Sequence, residues 1–401
     1  MKSEAMTKRI ESLAEGFFSD VLEIRRHIHM HPELSFSEKE TSAYVCSVLD
    51  RLNIPYRTGY AGTGIVASVR GEQAGGRCMA LRAELDALPI TEDNDKPYKS
   101  VRPGVMHACG HDVHAASLLG AAMILNEVRD SFGGTVLLVF QPGEEKAPGG
   151  ASMMLSEGAL ADPGPELIVA QHVLPSLEAG RLGFREGVYM ASSDEIYMEL
   201  TGSGGHAALP HETTDIILVA SYIITALQQI VSRHAKASVP TVLTFGRFIA
   251  EGAVNVIPSS LKVEGTFRTM DEAWRKEAHR KMSKMAGAIA ESMGAGCSFR
   301  IVPGYPVLSN DPQATRSVRK AAAEYLGEEN ISELEIRMTA EDFAFYALEF
   351  PAVLYRLGIR NDGKFRSAEL HTSGFDIDED ALLTGMGTMA YIAWSYMQPE
   401  K

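Results

Sequence analysis

Between Gly64 and Val173 the chain sets four short apolar runs among stretches of helical pattern: Gly64–Val69, Met79–Leu85, Thr135–Phe140 and Leu167–Val173. Helical spacing precedes them over Thr7–Met30 and Ser37–Leu52. A longer helical stretch, His111 to Val128, opens just after Gly110 and separates the second run from the third. Strands that alternate with helices need crossover connections, so this half predicts a mostly parallel sheet covered on both faces.

The middle of the chain changes pattern. Ile196–Thr201 alternates apolar and polar residues, and a helical stretch follows over Asp215–Ala235. Two strand patterns come next, Thr241–Ile249 and Leu261–Thr269. A helix over Asp271–Met293 keeps Ala278, Met282, Met285, Ala286, Ile289, Ala290 and Met293 at three- and four-residue steps. Cys297–Val302 closes the series as a strand. The order βαββαβ is that of a ferredoxin-like unit, a complete small domain. After Pro303 the earlier alternation resumes, with a strand at Ala352–Leu357 and a last helix over Glu379–Met397. At 401 residues two domains are expected. The fold class is therefore α/β: a discontinuous domain of residues 1–187 and 302–401, with an α+β ferredoxin-like domain inserted over 188–301.

A net charge of −14 argues against nucleic acid or an anionic membrane as partner, because both reward clustered Lys and Arg. An anionic substrate would need positive charge placed locally. No apolar run approaches the ~20 residues of a membrane helix. The N-terminal stretch MKSEAMTKRIESLAEGFF is interrupted by charges, unlike a secretory signal, so the cytoplasm is the expected compartment. Four cysteines without CxxC spacing predict no disulfide framework. Cys46, Cys78 and Cys297 have apolar neighbours and read as small core residues. Cys109 differs, because it lies between histidines.

That cysteine belongs to the densest polar cluster, Met106–His114 (MHACGHDVH). Thiolate and imidazole are good ligands for zinc and related divalent ions, and Cys109 and His111 sit at a loop-to-helix junction where both can aim at one point. His107 and His114 read instead as hydrogen-bonded core residues, and Asp112 as a partner that orients a neighbouring ligand. A second cluster, Phe140–Glu145 (FQPGEE), ends an apolar strand with two adjacent carboxylates, Glu144 and Glu145. Strand carboxyl ends are where open α/β sheets bind ligands. His172 follows another apolar strand, and His371 lies in a loop before Phe375-Asp376. Cys, His and Glu gathered at strand ends are what two metal ions sharing a water require. His27, His29 and His31 form an HxHxH tract on a helical stretch; alternate residues of a helix do not share a face, so helix-end and packing roles are expected there.

Taken together, these segments resemble the amidohydrolase branch of the aminoacylase and glutamate-carboxypeptidase superfamily, which includes hippurate hydrolases and plant auxin–amino acid conjugate hydrolases. The markers run almost end to end: Arg25–Glu33, Arg82–Pro89, Met106–His114, Phe140–Glu145, Gly204–His211, Asn255–Pro258, Gly265–Thr269, Thr339–Phe343 and Leu370–Glu379. The resemblance implies a metal-binding catalytic domain and an inserted lid and dimerisation domain, hence a homodimer. It implies two divalent ions per subunit (zinc, manganese, cobalt or nickel) held by Cys109, His111, Glu145, His172 and His371, with the thiolate bridging. Glu144 matches the general base and His206 a histidine that reaches the active site, often from the partner subunit. Asn255 and Arg268 match positions that hold a substrate carboxylate, and Asp86 a supporting position near the metals. Glu84 stands where Asp is more usual, and Gln171 where Leu is. The implied reaction is hydrolysis of the amide bond of N-acyl amino acids. Dipeptidase or carboxypeptidase activity, N-acetyl-diaminopimelate-type deacetylation, and a non-catalytic metal-containing binding protein are the alternatives.

Overall fold

The computed structural model describes residues 2–363 and 368–398. It divides into two units. The first comprises Met1–Gly187, Ser309–Glu335 and Asp342–Lys401, and the second Val188–Leu308 with Ile336–Glu341. The sequence placed the return to the first domain near 302; the chain instead stays in the second unit to Leu308 and revisits it at 336–341. Backbone bonds explain that revisit. The Arg337 N–H donates to Tyr189 O at 2.9 Å, and the Ala191 N–H lies 3.1 Å from both Arg337 O and Thr339 O.

The first unit carries an eight-stranded sheet. Its strands are β1 (Tyr56–Tyr60), β2 (Gly64–Arg70), β3 (Gln73–Glu84), β4 (Gly133–Gln141), β5 (Leu167–Glu178), β6 (Leu182–Phe184), β7 (Ile331–Glu333) and β8 (Ala352–Arg360). Their order across the sheet is β1-β2-β4-β3-β5-β8-β6-β7. The central four, β4-β3-β5-β8, run parallel to one another. These are the uninterrupted apolar runs of the sequence, buried on both faces as parallel strands are. Helices α1 (Lys2–Met30), α2 (Lys39–Arg51), α3 (His111–Glu127), α4 (Pro312–Leu326) and α5 (Ala381–Tyr396) belong to the same unit. α3 is buried all round from His111 to Leu125, which its apolar composition requires. Gly120 lets it approach two other helices. A Cβ there would come within 2.8 Å of Met386 on α5 and 2.9 Å of Val21 on α1.

Register fixes where the loops leave. Glu84, the last residue of β3, pairs with Gln141, the last of β4, so loops 85–110 and 142–149 leave the sheet side by side. β5 runs on to Glu178, so His172 lies within the strand rather than at its end as read from the sequence. It is nevertheless beyond Ala170, the last residue that β5 pairs with β3. The strand continues because β8 pairs with it as far as Glu178.

In the second unit, strands Thr241–Ile249, Ser260–Thr269, Asp194–Thr201 and Gly296–Pro303 lie in that spatial order, every neighbour antiparallel. Ile196, Met198, Leu200, Val263 and Phe267 on the sheet form one core with helices Ile216–Gln229 and Glu272–Ser292. Asp215 and Asp271 cap those helices, accepting from Ile217 and Leu218 N–H and from Trp274 N–H. One expectation is corrected here: Ile216–His234 is long and apolar enough to cross a membrane by length and composition. Its buried face (Ile216, Val219, Ala220, Ile223, Leu227) packs in the core of this unit, the ordinary arrangement of an amphipathic globular helix.

The polar part of the first unit is held by Arg25, fully buried on α1. Its guanidinium donates to Asp112 Oδ2 at 2.7 Å, Asp376 Oδ1 at 3.1 Å and Glu379 Oε1 at 3.3 Å. It thereby ties the start of α3 to the segment after His371. His29 joins the cluster, its Nδ1 2.8 Å from Asp112 and its Nε2 3.3 Å from Glu92. Removing one member of a buried, paired set strands the others, at a cost of about 3–5 kcal/mol. Arg25→Met is expected to lower the unfolding free energy by that order in urea titrations. A loss under ~1 kcal/mol, as for an exposed pair, would show that the cluster contributes little.

Candidate functional site

Gly110 makes the first turn of the site. Its φ of +81° is left-handed, and a Cβ would fall 2.6 Å from Val173 Cγ2, so only glycine lets the chain turn there into α3. On either side of it stand Cys109 and His111. Cys109 Sγ lies 3.4 Å from His172 Nε2 and 3.4 Å from His371 Nε2. His371 Nε2 lies 3.2 Å from Glu145 Oε1, and His111 Nε2 lies 4.0 Å from Glu144 Oε2. Among the donor triads whose ligand atoms lie within 4.8 Å of one another are Cys109/His111/His172, Cys109/Glu145/His371 and His111/Glu144/Glu145. The first two share the thiol. The structure thus gathers the five candidate ligands and Glu144 at the carboxyl edge of the parallel sheet.

Each side chain is held by a specific partner. The His111 Nδ1–H donates to Asp86 O at 2.8 Å, leaving Nε2 to face the site. Asp86 Oδ2 accepts from the Glu145 N–H at 2.9 Å and from Ser35 Oγ at 2.7 Å. The His172 Nδ1–H donates to Val173 O at 2.9 Å, which directs Nε2 toward Cys109. His371 has φ +61°, uncommon for a residue with a Cβ, and its N–H donates to Ala108 O at 2.8 Å, one residue from the thiol. Glu144, almost buried, accepts from the Asp342 N–H at 3.4 Å.

The site's charge balance favours a cation. Burial, then Glu145 and Glu144, push the Cys109 thiol well above its ordinary range. Burial, with Arg356 and His114, pushes His172 well down, so its imidazole is neutral. Burial alone would lower His111 too, but its hydrogen bond to Asp86 and the charges around it outweigh that and raise it to about 10. His111 Nε2 is buried and has no hydrogen-bond partner among the described residues. Soft sulfur, imidazole nitrogen and carboxylate oxygen around one point suit divalent transition metals, and such an ion would stabilise the thiolate that these carboxylates now oppose. The donor set fits.

Two expectations change, those for Asp112 and His107. Asp112 does not orient His111; it is taken up by Arg25 and His29, and Asp86 holds His111 instead. His114 is a hydrogen-bonded core residue, its Nδ1–H donating to Glu84 at 2.9 Å and its Nε2 accepting from the Val173 N–H at 2.9 Å. His107 is buried, but neither ring nitrogen has a hydrogen bond among the described residues; burial drives it down to about 3 and keeps it neutral. Gln171 is buried and accepts from Tyr355 Oη at 3.1 Å. Burial pushes the thiols of Cys46, Cys78 and Cys297 up, as expected of unreactive cysteines.

A second supporting chain escaped the sequence. Arg82, fully buried, pairs with Glu84, donates to Gln141 Oε1 at 2.9 Å and reaches Asp342 Oδ1 at 2.7 Å. It connects the His114–Val173 contact beside His172 to the residue that bonds Glu144. The only sequence signal was the pair of segments RAELDALP and TAEDF, 260 residues apart in the contact they make.

His206, Asn255 and Arg268 lie in the second unit. His206 pairs with Val256 in a two-stranded ribbon, and the Ala207 N–H donates to Asn255 O at 3.0 Å, so the first two are neighbours. Arg268 is half-buried, and its Nη1 donates to Met338 O at 3.3 Å. Burial lowers its pKa, although guanidinium remains charged at neutral pH.

The model of Peptidase family M20/M25/M40 matches residues 80–395. An N-acyl-L-amino acid amidohydrolase of Geobacillus stearothermophilus is 40% identical over 308 residues, 76% of this chain and 82% of the relative. IAA-amino acid hydrolase ILR1-like 4 of Arabidopsis thaliana is 36% identical over 385 residues, 95% of this chain and 86% of the relative. The crystal structure of the Bacillus subtilis YxeP protein, described as a dinuclear metal binding peptidase from the M20 family, superposes with a TM-score of 0.83. It is 34% identical, with 96% of this chain and 99% of that one covered. The chain is a hydrolase of Peptidase family M20/M25/M40.

Proposed function

We propose that this hydrolase splits the amide bond of N-acyl amino acids with two divalent ions held by Cys109, His111, Glu145, His172 and His371. The observation that carries the reading is the pair of donor triads that share Cys109, with Glu144 against His111. Relatives with amidohydrolase and amino acid hydrolase names support the substrate class. Zinc, manganese, cobalt and nickel all suit this mixed donor set.

When bound, the ions supply Lewis-acid chemistry and lower the pKa of water in the site. The chain's own residues do the rest. Glu144, fixed by the Asp342 N–H, accepts the proton of the attacking water and passes it to the departing amine. His206 donates to the oxygen that gains charge as the amide carbon becomes tetrahedral. Arg268 and Asn255 hold the amino acid carboxylate, which gives an acidic protein the local positive charge an anionic substrate needs. The second unit would act as lid and as the interface of a homodimer. The exposed Ile217, Leu218 and Tyr222 on its first helix favour that interface.

Glu144→Gln should keep its metal content by elemental analysis and lose roughly 10²–10⁴-fold in kcat on an acetyl, benzoyl and indoleacetyl amino acid panel. Activity within a few-fold of the parent would remove Glu144 from this role. Because the triads share the thiol, Cys109→Ala should lose both ions and His371→Ala only one; equal losses would contradict a shared ligand. Arg268→Ala should raise KM for free acyl amino acids by roughly 10-fold or more, the loss of a charge-assisted bond, and much less for their carboxamides. An equal effect on both would place Arg268 away from the carboxylate.

A further inference from the structure

The HxHxH tract on α1 resolves into two faces. His29 turns into the core against Asp112 and Glu92, whereas the half-buried His27, in the last turn of α1, and His31, just past its end, stay together. Residues four apart on a helix share a face, and this spacing is the one by which two histidines on a helix bind one metal ion. The two rings have centroids 4.5 Å apart. Two nitrogens on one ion, each ~2.0–2.1 Å from it, sit roughly 3 Å apart, within reach of rings so placed.

Three further observations make this more than a histidine pair. The His31 Nδ1–H donates to His27 O at 2.8 Å, which fixes the tautomer and leaves Nε2 as the lone-pair nitrogen, the usual arrangement of a ligating imidazole. The His27 ring stacks on Tyr44 at 3.8 Å, which limits its rotation, and no hydrogen bond among the described residues engages its ring nitrogens. Both histidines line a cavity of about 190 Å³ whose wall also includes Glu40. The Glu40 carboxylate is exposed at the rim and pairs with Arg102 at 2.6 Å. None of these residues belongs to the catalytic cluster.

The geometry points to a separate binding site for a divalent transition-metal ion, ligated by His27 and His31 and completed by water. Two imidazole nitrogens select nickel, copper or zinc over magnesium or calcium. With only two protein nitrogens, the site is weaker than the catalytic centre and fills after it.

The test titrates the metal-loaded enzyme with Ni²⁺ and then Zn²⁺ by equilibrium dialysis, comparing parent, His27→Gln, His31→Gln and the double variant. The parent should bind one equivalent more than the double variant. Each single variant should weaken that equivalent by at least roughly 10-fold, the lower end of what losing even a supporting group costs a metal site. Acyl amino acid hydrolysis and thermal midpoint should be unchanged in all four, and Mg²⁺ should show no difference between them. Equal binding by the parent and the double variant overturns the assignment. So does an extra equivalent that both single variants retain at full affinity.

Discussion

Burying carboxylates is the constraint on which the first unit depends. Glu84, Asp86, Asp112, Asp342 and Asp376 are all nearly inaccessible. A carboxylate in that setting must be paired or become protonated. Two fully buried arginines meet the requirement for four of them, and Asp86 is held by His111, Ser35 and the Glu145 N–H. Arg25 serves Asp112 and Asp376, and Arg82 serves Glu84 and Asp342. Burial would raise Asp112, yet Arg25 and His29 outweigh it and hold the carboxyl far below its usual range. For Glu84, Arg82 and His114 do the same. Glu84 and Asp112 stay ionised, and Glu84 orients the His114 imidazole while Asp86 orients His111 and the Glu145 N–H.

That arrangement separates what was legible in the sequence from what was not. The central strands, α3 and the ferredoxin-like order were legible because their signals are local: apolar runs of strand length, or apolar steps of three and four. The ligand cluster was partly legible for the same reason. Gly110 between Cys109 and His111, and Gly143 before Glu144-Glu145, announce turns at the ends of buried segments. The Arg82–Asp342 and Arg25–Asp376 contacts span 260 and 351 residues, and nothing in the neighbourhood of either arginine names its partner. Asp112 shows the resulting error. Its position beside His111 suggested a ligand's helper, but a residue in the first turn of a helix points away from its neighbour, and it meets Arg25 instead.

The return of 336–341 to the second unit was also invisible, because it depends on backbone pairing between segments almost 150 residues apart. Its consequence is local to that unit. Met338 O receives Arg268 Nη1, so a six-residue excursion helps to set the guanidinium. In a chain of net charge −14, one half-buried arginine positioned in this way can outweigh the unfavourable average charge for a substrate carboxylate. Average charge therefore argues against broad polyanionic partners while leaving a small anion admissible.

The HxHxH tract carries the same lesson about period. Spacing of two on a helix cannot make one ligand cluster, and this correctly separates His29 from its neighbours. It says nothing against the outer two, which are four apart. The inward histidine is spent on Asp112 and Glu92, inside the charge cluster that Arg25 organises. The outward pair keeps its free nitrogens because Tyr44 and a backbone carbonyl fix the rings without using them all. One helix thus serves the buried electrostatics with one face and leaves donor atoms open on another. Helical phase, rather than sequence adjacency, decides which histidine does which.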